Sequence, residues 1–311
     1  MTNTYSVTVI VPATTANLGP GFDCLGAALN LYNQFKFTKL DKSSSIPVEI
    51  IVKGKEADKV STNTSNLVYQ SFLQLYQHLK KQPPAIQIEI SMQVPLARGL
   101  GSSATAIIGG LMGANEIAGK ALQLSQLRDL AITIEGHPDN VVPALLGNCQ
   151  LSTKNEQGDW SICQLPWHQD IISVVAIPDF ELSTEEARKV LPPQISYTDA
   201  IFNISRLGLL IRGFETGKED WLKVGMADKL HQPYRKSLIC GYESVKFAAL
   251  RAGAYGTVIS GAGPTLLSLT NSERAGSVVS AMAEAWETQG IQADVRVLSI
   301  DGVGTEIVKT K

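Results

Sequence analysis

Residues 95–105, Pro95-Leu96-Ala97-Arg98-Gly99-Leu100-Gly101-Ser102-Ser103-Ala104-Thr105, place two glycines and two serines where a strand hands over to a helix. Before them Ile86, Ile88, Ile90 and Met92 alternate with Gln87, Glu89, Ser91 and Gln93, the period of a half-buried strand. After them Ala106 to Ile117 is a run of small and aliphatic residues long enough for a buried helix. The first N–H groups of such a helix have no partner within it and carry the positive end of its dipole, which suits an anion. Gly99 and Gly101 permit positive φ and leave room for a phosphate to touch backbone. The hydroxyls of Ser102 and Ser103 can cap the helix, bind a phosphate oxygen or ligate Mg²⁺. Phosphate binding is the chemistry on offer; a tight turn with a serine cap is the plain alternative.

Two other stretches concentrate reactive side chains. Glu135-Gly136-His137-Pro138-Asp139-Asn140 packs a glutamate, a histidine, an aspartate and an asparagine into one turn. Ala13 to Gly26 is too rich in glycine and proline for a regular element, and it carries Asn17 and Asp23. A long irregular stretch in a compact domain is either functional or a connector. The pattern Gly99-x-Gly101-x-x-Ala104 also fits a dinucleotide fingerprint, but no second strand ending in an acidic residue follows it. A Walker A loop is excluded because residues 95–105 contain no lysine.

The elements that must hold these residues can be read from period and punctuation. Strands are expected at Ser6–Val11, Asn33–Leu40, Val48–Val52, Asn148–Thr153, Ser161–Leu165 and Ile171–Ile177, with a turn at Ser43–Ser45. Later strands are expected at Thr257–Ser260, Thr265–Leu269 and Asp294–Ile300. Asn66–Lys81 is amphipathic through Leu67, Phe72, Leu75, Tyr76 and Leu79, and it stops before Pro83-Pro84. Ser125 is a candidate N-cap for the helix that runs into Glu135; Gly136 would end that helix and Pro138 open the next. Further helices are expected at Thr184–Val190, Tyr197–Glu215, around Trp221, at Gly241–Ala252 and at Ala275–Thr288. A strand-rich first half and a helix-rich second half make this α+β, with a boundary at Gln164–Asp170.

The chain has 311 residues, 44% of them hydrophobic and 18% charged, with a net charge of −2. That is ordinary globular composition, and it gives no electrostatic footprint for nucleic acid or an anionic membrane. Four cysteines are scattered without CxxC spacing, so neither a zinc site nor a disulfide framework is expected. No basic leader and no apolar run of membrane-spanning length is present, so a cytoplasmic protein with reduced thiols is expected.

Taken together, residues 12–26, 95–105 and 259–265 resemble the three motifs of the GHMP kinases, and the resemblance covers nearly the whole chain. Within that superfamily the chain resembles the homoserine kinases. Val11–Asp23, Glu135–Val141, Leu182–Arg188, Leu230–Arg235 and Val258–Thr265 carry this, in the expected order.

The resemblance implies an N-terminal ATP-binding domain over 1–165, like the second domain of ribosomal protein S5, and a ferredoxin-like domain over 166–311. It implies ATP-dependent phosphorylation of the L-homoserine hydroxyl, with residues 95–105 on the phosphates and Asn66 near the base. It further implies Mg²⁺ on Ser103 and Glu135, with Asp129 the alternative to Glu135. Asn17 and Asp23 would meet the substrate ammonium, Arg188 and Arg235 its carboxylate, and His137 and Asn140 its hydroxyl. Asn140 would orient that hydroxyl with no true base, Asp139 being the rival base. His78, His168 and His231 are expected to be structural. The partners implied are L-homoserine and, in some members, a second copy. The rivals are a mevalonate- or shikimate-type kinase, whose substrates carry no ammonium for Asp23, and a non-catalytic nucleotide-binding protein.

Overall fold

A computed structural model describes residues 6–40 and 46–310; the turn expected at Ser43–Ser45 lies outside the described residues. The first sheet has seven strands in the order β11-β1-β2-β4-β3, with β5 also on β2 and β6 on β5. Its strands are β1 (Ser6–Ala16), β2 (Leu25–Lys39), β3 (Val48–Lys53), β4 (Ile86–Ser91), β5 (Cys149–Lys154), β6 (Trp160–Leu165) and β11 (Glu306–Thr310). All pairings are antiparallel except β3 with β4.

Four helices cover one face: α1 (Leu67–His78), α2 (Ser102–Ile117), α3 (Leu124–Glu135) and α4 (Pro138–Leu146). Small residues let α2 lie close to its neighbours. A methyl on Gly109 or Gly113 would strike the rings of Phe35 or Phe37 on β2, and one on Gly110 would strike the Val68 carbonyl of α1. Ile86, Ile88 and Ile90 fill the same core, as their alternation requires.

The second sheet, in the order β10-β7-β9-β8, is antiparallel and ferredoxin-like in connectivity. It comprises β7 (Ile172–Pro178), β8 (Gly256–Ile259), β9 (Leu266–Thr270) and β10 (Ala293–Leu298). Strand β7 is buried on both faces. Val174 and Ala176 face α9 (Tyr242–Arg251) and α10 (Ser272–Thr288), while Val175 and Ile177 join a core with residues of α6 (Tyr197–Thr216) and α7 (Glu219–Gly225) and with Leu18, Leu25 and Leu29. The remaining helices are α5 (Thr184–Lys189) and α8 (Gln232–Arg235).

The fold class is therefore α+β as expected, with local differences. Strand β1 continues through Pro12, where its register on β2 shifts, and β2 begins at Leu25, so only residues 17–24 of the Gly/Pro-rich stretch are irregular. Ser125 is not an N-cap: Gln123 takes that position, in a reciprocal pair with Gln126. Strand β11 and helix α8 carried no sequence signal strong enough to be expected.

Candidate active site

The three Gly-rich stretches meet in space. Thr14 N–H donates to the Leu100 carbonyl at 3.1 Å, and Gly261 N–H to that of Ala16 at 3.1 Å. Ser260 Oγ donates to the Gly99 carbonyl at 2.6 Å. Both loop glycines are left-handed, Gly99 with φ 74° and Gly101 with φ 68°. A methyl group on Gly99 would collide with the Ser260 carbonyl, and one on Gly101 with Thr14 Oγ1. The turn thus depends on glycine both for conformation and for space.

A cleft of about 490 Å³ opens over this junction, a usual size for a small-ligand site. It is lined by Asn17, Asp23, Asn66, Glu135, His137, Asn140, Arg188 and Arg235, and by Leu96, Ala97, Arg98, Gly99, Gly101, Ser102, Ser103 and Thr105 of the loop. Pro95, Leu100 and Ala104 are not among the lining residues; Leu100 and Ala104 are buried in the two cores on either side.

Helix α2 starts from Gly101 with no side-chain cap, and its first intrahelical bond is Thr105 N–H to the Gly101 carbonyl at 2.9 Å. The amide groups of Ser102, Ser103 and Ala104 precede that bond and are the unsatisfied donors of the helix end. The Ser103 hydroxyl donates to Glu135 Oε1 at 2.8 Å, so the two proposed metal ligands already touch. Burial, and then the nearby Asp139 charge, raise the Glu135 carboxyl above its ordinary value against the opposing pull of Ser103 and His137. An acid held that way gains from an arriving cation. Asp129 does not line the cleft; it pairs with Arg128 at 2.7 Å.

Some loop and cap residues serve the scaffold. Arg98 reaches Glu56 at 2.7 Å, the Leu96 and Pro178 carbonyls at 3.0 Å and the Asp179 carbonyl at 3.1 Å. Glu56 also accepts the Leu96 N–H at 2.8 Å. Burial pulls the Glu56 carboxyl up, but these donors and Lys59 outweigh it and hold it below the usual value. Asn66 caps α1 through Val68 N–H at 2.9 Å, as a helix-start asparagine should, while still lining the cleft beside Leu67.

The turn after α3 ends in left-handed Gly136, and Pro138 opens α4. His137 Nδ1 meets Asp139 Oδ1 at 2.8 Å. Burial pulls the imidazole down, yet Asp139 and Glu135 outweigh it and raise its value above 6.5. The Asp139 side chain is only 3% exposed. Thr14 Oγ1 donates to Asn140 Oδ1 at 2.8 Å. With its oxygen so occupied, Asn140 presents its NH₂ as a donor to a ligand.

The charged pair opposite is self-satisfied. Arg188 grips Asp23 through two bonds of 2.7 and 3.0 Å. Asn17 holds the loop rather than a charge: its Nδ2 donates to the Gly261 carbonyl at 2.9 Å and its Oδ1 accepts Asp23 N–H at 3.0 Å. Arg235 is 2% exposed, donating Nε to the Ala187 carbonyl at 3.1 Å and Nη1 to the Gly261 carbonyl at 3.0 Å. Among the described residues its Nη2 is uncommitted. Burial and the nearby Arg188 push its value down to about 10, which leaves it charged at neutral pH. His231, fully buried and held down by burial, donates Nε2–H to the Gly19 carbonyl at 2.9 Å, a structural role as expected. His168 and His78 do not line the cleft.

Four residues missed from the sequence matter here. Glu56 and Thr14 fix the loop and Asn140. Phe22 stacks on His231 at 5.2 Å with the Arg235 and Arg188 guanidinium groups 5.1 and 5.6 Å from its ring. Asp228 accepts the amides of Leu230, His231 and Gln232 and so positions α8 under Arg235. Phe22 and Thr14 lie inside quoted motifs and could have been singled out; Glu56 and Asp228 lie in stretches with no local pattern.

Among the described residues no cluster of three or more His, Cys, Asp or Glu could hold a metal, and no helix is long and apolar enough to cross a membrane. Residues 66–148 match the GHMP kinases N terminal domain and residues 210–288 the GHMP kinases C terminal family. The chain is 65% identical over 302 residues to a homoserine kinase of Crocosphaera subtropica, covering 97% of each chain. It is 61% identical over 304 residues to one of Trichodesmium erythraeum, covering 98% of this chain and 99% of the relative. The crystal structure of homoserine kinase from Cytophaga hutchinsonii, 30% identical, superposes with a TM-score of 0.87 over 97% of both chains. By sequence and by fold, the chain belongs to the homoserine kinases of the GHMP kinase family.

Proposed function

We propose that the cleft binds ATP along residues 95–105 and L-homoserine between Asp23, Arg188 and Arg235, and phosphorylates the homoserine hydroxyl to give O-phospho-L-homoserine, as a step toward threonine. The observation that carries this is one cleft joining an uncapped helix N-terminus to a paired acid and two arginines. A zwitterion needs an anion for its ammonium and a planar cation for its carboxylate, and Asp23 with Arg188 and Arg235 supplies both.

The site also fits Mg·ATP. The uncapped amides at the start of α2 suit a phosphate, and Ser103 with Glu135 is an all-oxygen donor pair of the kind Mg²⁺ takes beside phosphate oxygens. Mg·ATP supplies the γ-phosphoryl group with its charge neutralised, and catalysis is then mainly positioning. The amides of Ser102 and Ser103 hold phosphate charge at the helix end. Asn140, fixed by Thr14, donates to the homoserine hydroxyl and aims it. Asp139 is occupied by His137, so the hydroxyl proton leaves with the transferred group and not to a side-chain base. His137 keeps the turn in shape and borders the hydroxyl.

We further read the chain as two domains meeting near residues 165 and 166, with β11 returning to the first sheet, and as a cytoplasmic protein. The four thiols Cys24, Cys149, Cys163 and Cys240 are all free, which supports that compartment.

The test is ADP release with Mg·ATP against L-homoserine, D-homoserine, L-threonine, L-serine, shikimate and mevalonate. Turnover with L-homoserine that is lost in Arg235→Ala supports both reaction and clamp. Turnover only with a non-amino acid overturns the substrate.

A further inference from the structure

Arg235 commits most of its N–H groups before any ligand arrives. Nε donates to the Ala187 carbonyl of α5 at 3.1 Å. Nη1 donates to the Gly261 carbonyl at 3.0 Å and lies 3.4 Å from His231 Nδ1. Among the described residues, only the hydrogens of Nη2 are left for a ligand. The guanidinium is rigid and planar, so whatever fixes Nη1 also fixes where Nη2 points. Of these acceptors Ala187 and Gly261 offer backbone, and His231 offers the one side chain.

The two edges of the His231 ring decide its form. A carbonyl only accepts, so Nε2, 2.9 Å from the Gly19 oxygen, must carry the hydrogen. A guanidinium only donates, so Nδ1 beside Arg235 must be bare. The ring is therefore neutral, and a second proton would set Nδ1–H against Nη1–H. Full burial and the Arg235 charge hold its value below the ordinary one, against the pull of Asp228 and Asp23. Asp228 is the nearer acid, with Oδ2 3.5 Å from Nε2. The ring face stacks on Phe22, the neighbour of Asp23, with the planes 22° apart.

One neutral imidazole thus joins the loop carrying Asp23 to the helix carrying Arg235. Gly19 is left-handed at φ 87°, and a methyl there would strike the Met226 carbonyl, so the loop end of this link is fixed too. We propose that His231 is a positioning residue for homoserine: its bare Nδ1 sets the Arg235 guanidinium so that Nη2 meets the carboxylate, while its Nε2–H holds the Asp23 loop in register. This rests on reading Arg235 as the carboxylate partner.

The test is steady-state kinetics for L-homoserine, with calorimetry for Mg·ATP. His231→Leu removes both edge contacts and raises the KM for homoserine about 10- to 100-fold, while the Kd for Mg·ATP stays within about twofold. Two conservative variants divide the ring. Asparagine carries its amide oxygen on Cγ, where histidine carries Nδ1, so His231→Asn keeps an acceptor for Arg235 and recovers most of the KM. Glutamine carries its NH₂ one carbon further, toward Gly19, and His231→Gln recovers less. Independently, a ¹⁵N spectrum of the parent, assigned by the signal lost in His231→Asn, shows the Nε2–H form unchanged from about pH 6 to 8. A spectrum with Nδ1 protonated overturns the proposal, whether or not the variants fold. So do equal rescue by asparagine and glutamine, and equal losses for both ligands, which would assign the ring to stability alone. A homoserine KM raised by Arg235→Ala but not by His231→Leu overturns the proposal and leaves the clamp standing. A KM that Arg235→Ala does not move overturns the clamp, and the role of His231 with it.

Discussion

The two halves of the cleft are prepared for their ligands in opposite ways. On the phosphate side the donors are amides at the start of α2, and the loop that presents them is pinned by Glu56, Arg98, Ser260 and Thr14. On the amino-acid side the groups that would bind charge are spent on each other, Asp23 against Arg188. The phosphate half is built of groups that cannot neutralise themselves, so it can be rigid. The other half holds opposite charges and closes on itself. On the proposed reading, a zwitterion would replace that pair with two new ones and leave the charge balance of the pocket unchanged.

If the cradle is rigid, its failure should be wholesale. Gly101→Ala forces a methyl into Thr14 Oγ1 at a left-handed position, and kcat/KM is expected to fall by about a thousand-fold or more. Steady-state kinetics that stay within tenfold of the parent would contradict this.

Glu135→Gln sharpens the same contrast, because burial disfavours the charge that, as proposed, Glu135 offers to a cation. A loss of about 10²- to 10³-fold in kcat is expected when this charge is removed from the transferring phosphates. The carboxyl value is raised in the folded state, so the fold binds that proton more tightly than the unfolded chain does. Ionisation at neutral pH therefore destabilises the fold, and the glutamine variant without ligand should melt higher, by about 2–4 °C per kcal/mol removed. A lower melting temperature would refute the reading.

The clamp should fail by degrees. Arg188→Ala frees Asp23 and is expected to raise the KM for homoserine about a hundred-fold while leaving ATP binding, by calorimetry, within a few-fold. Equal losses for both ligands would mean the two halves are not separable.

The smallest effect belongs to Asp139→Asn, expected to keep kcat within about tenfold if, as proposed, Asn140 and not Asp139 aims the hydroxyl. A loss of several orders would make Asp139 the base. The same variant has a spectroscopic reading. His137 titrates above 6.5 in the fold, so its contribution to stability is complete below 6.5 and fades as pH rises through the raised value. An NMR titration of His137 should show that raised value in the parent and a lower one in the variant.

Much of this was legible in the sequence, and the reasons differ by residue. The cradle was readable because glycine spacing before a helix constrains the backbone directly, and Ser103 and Glu135 do meet. Gly136 and Pro138 end and begin their helices as their chemistry requires. Residue type could not show that Arg98 and Asn17 would spend their polar atoms on the scaffold, because that depends on backbone carbonyls distant in sequence. Glu56 was invisible for the same reason, its partners lying some forty residues downstream. Strand β11 escaped because a short polar-alternating run at the end of a chain has no local feature that says where it pairs.

That last strand ties the site to the order of synthesis. Strand β1, which leads into Asn17 and Asp23, lies between β2 and β11, with Val7 opposite Lys309 and Val9 opposite Ile307. Its β2 partner ends at Lys39, whereas β11 begins at Glu306. At ordinary translation rates roughly 15–50 s separate the two on the ribosome. For that interval β1 is an open edge, with unpaired amides and carbonyls available to any passing strand. The nascent chain thus carries its site-bearing strand half-paired until β11 has been made, and only then is that edge closed.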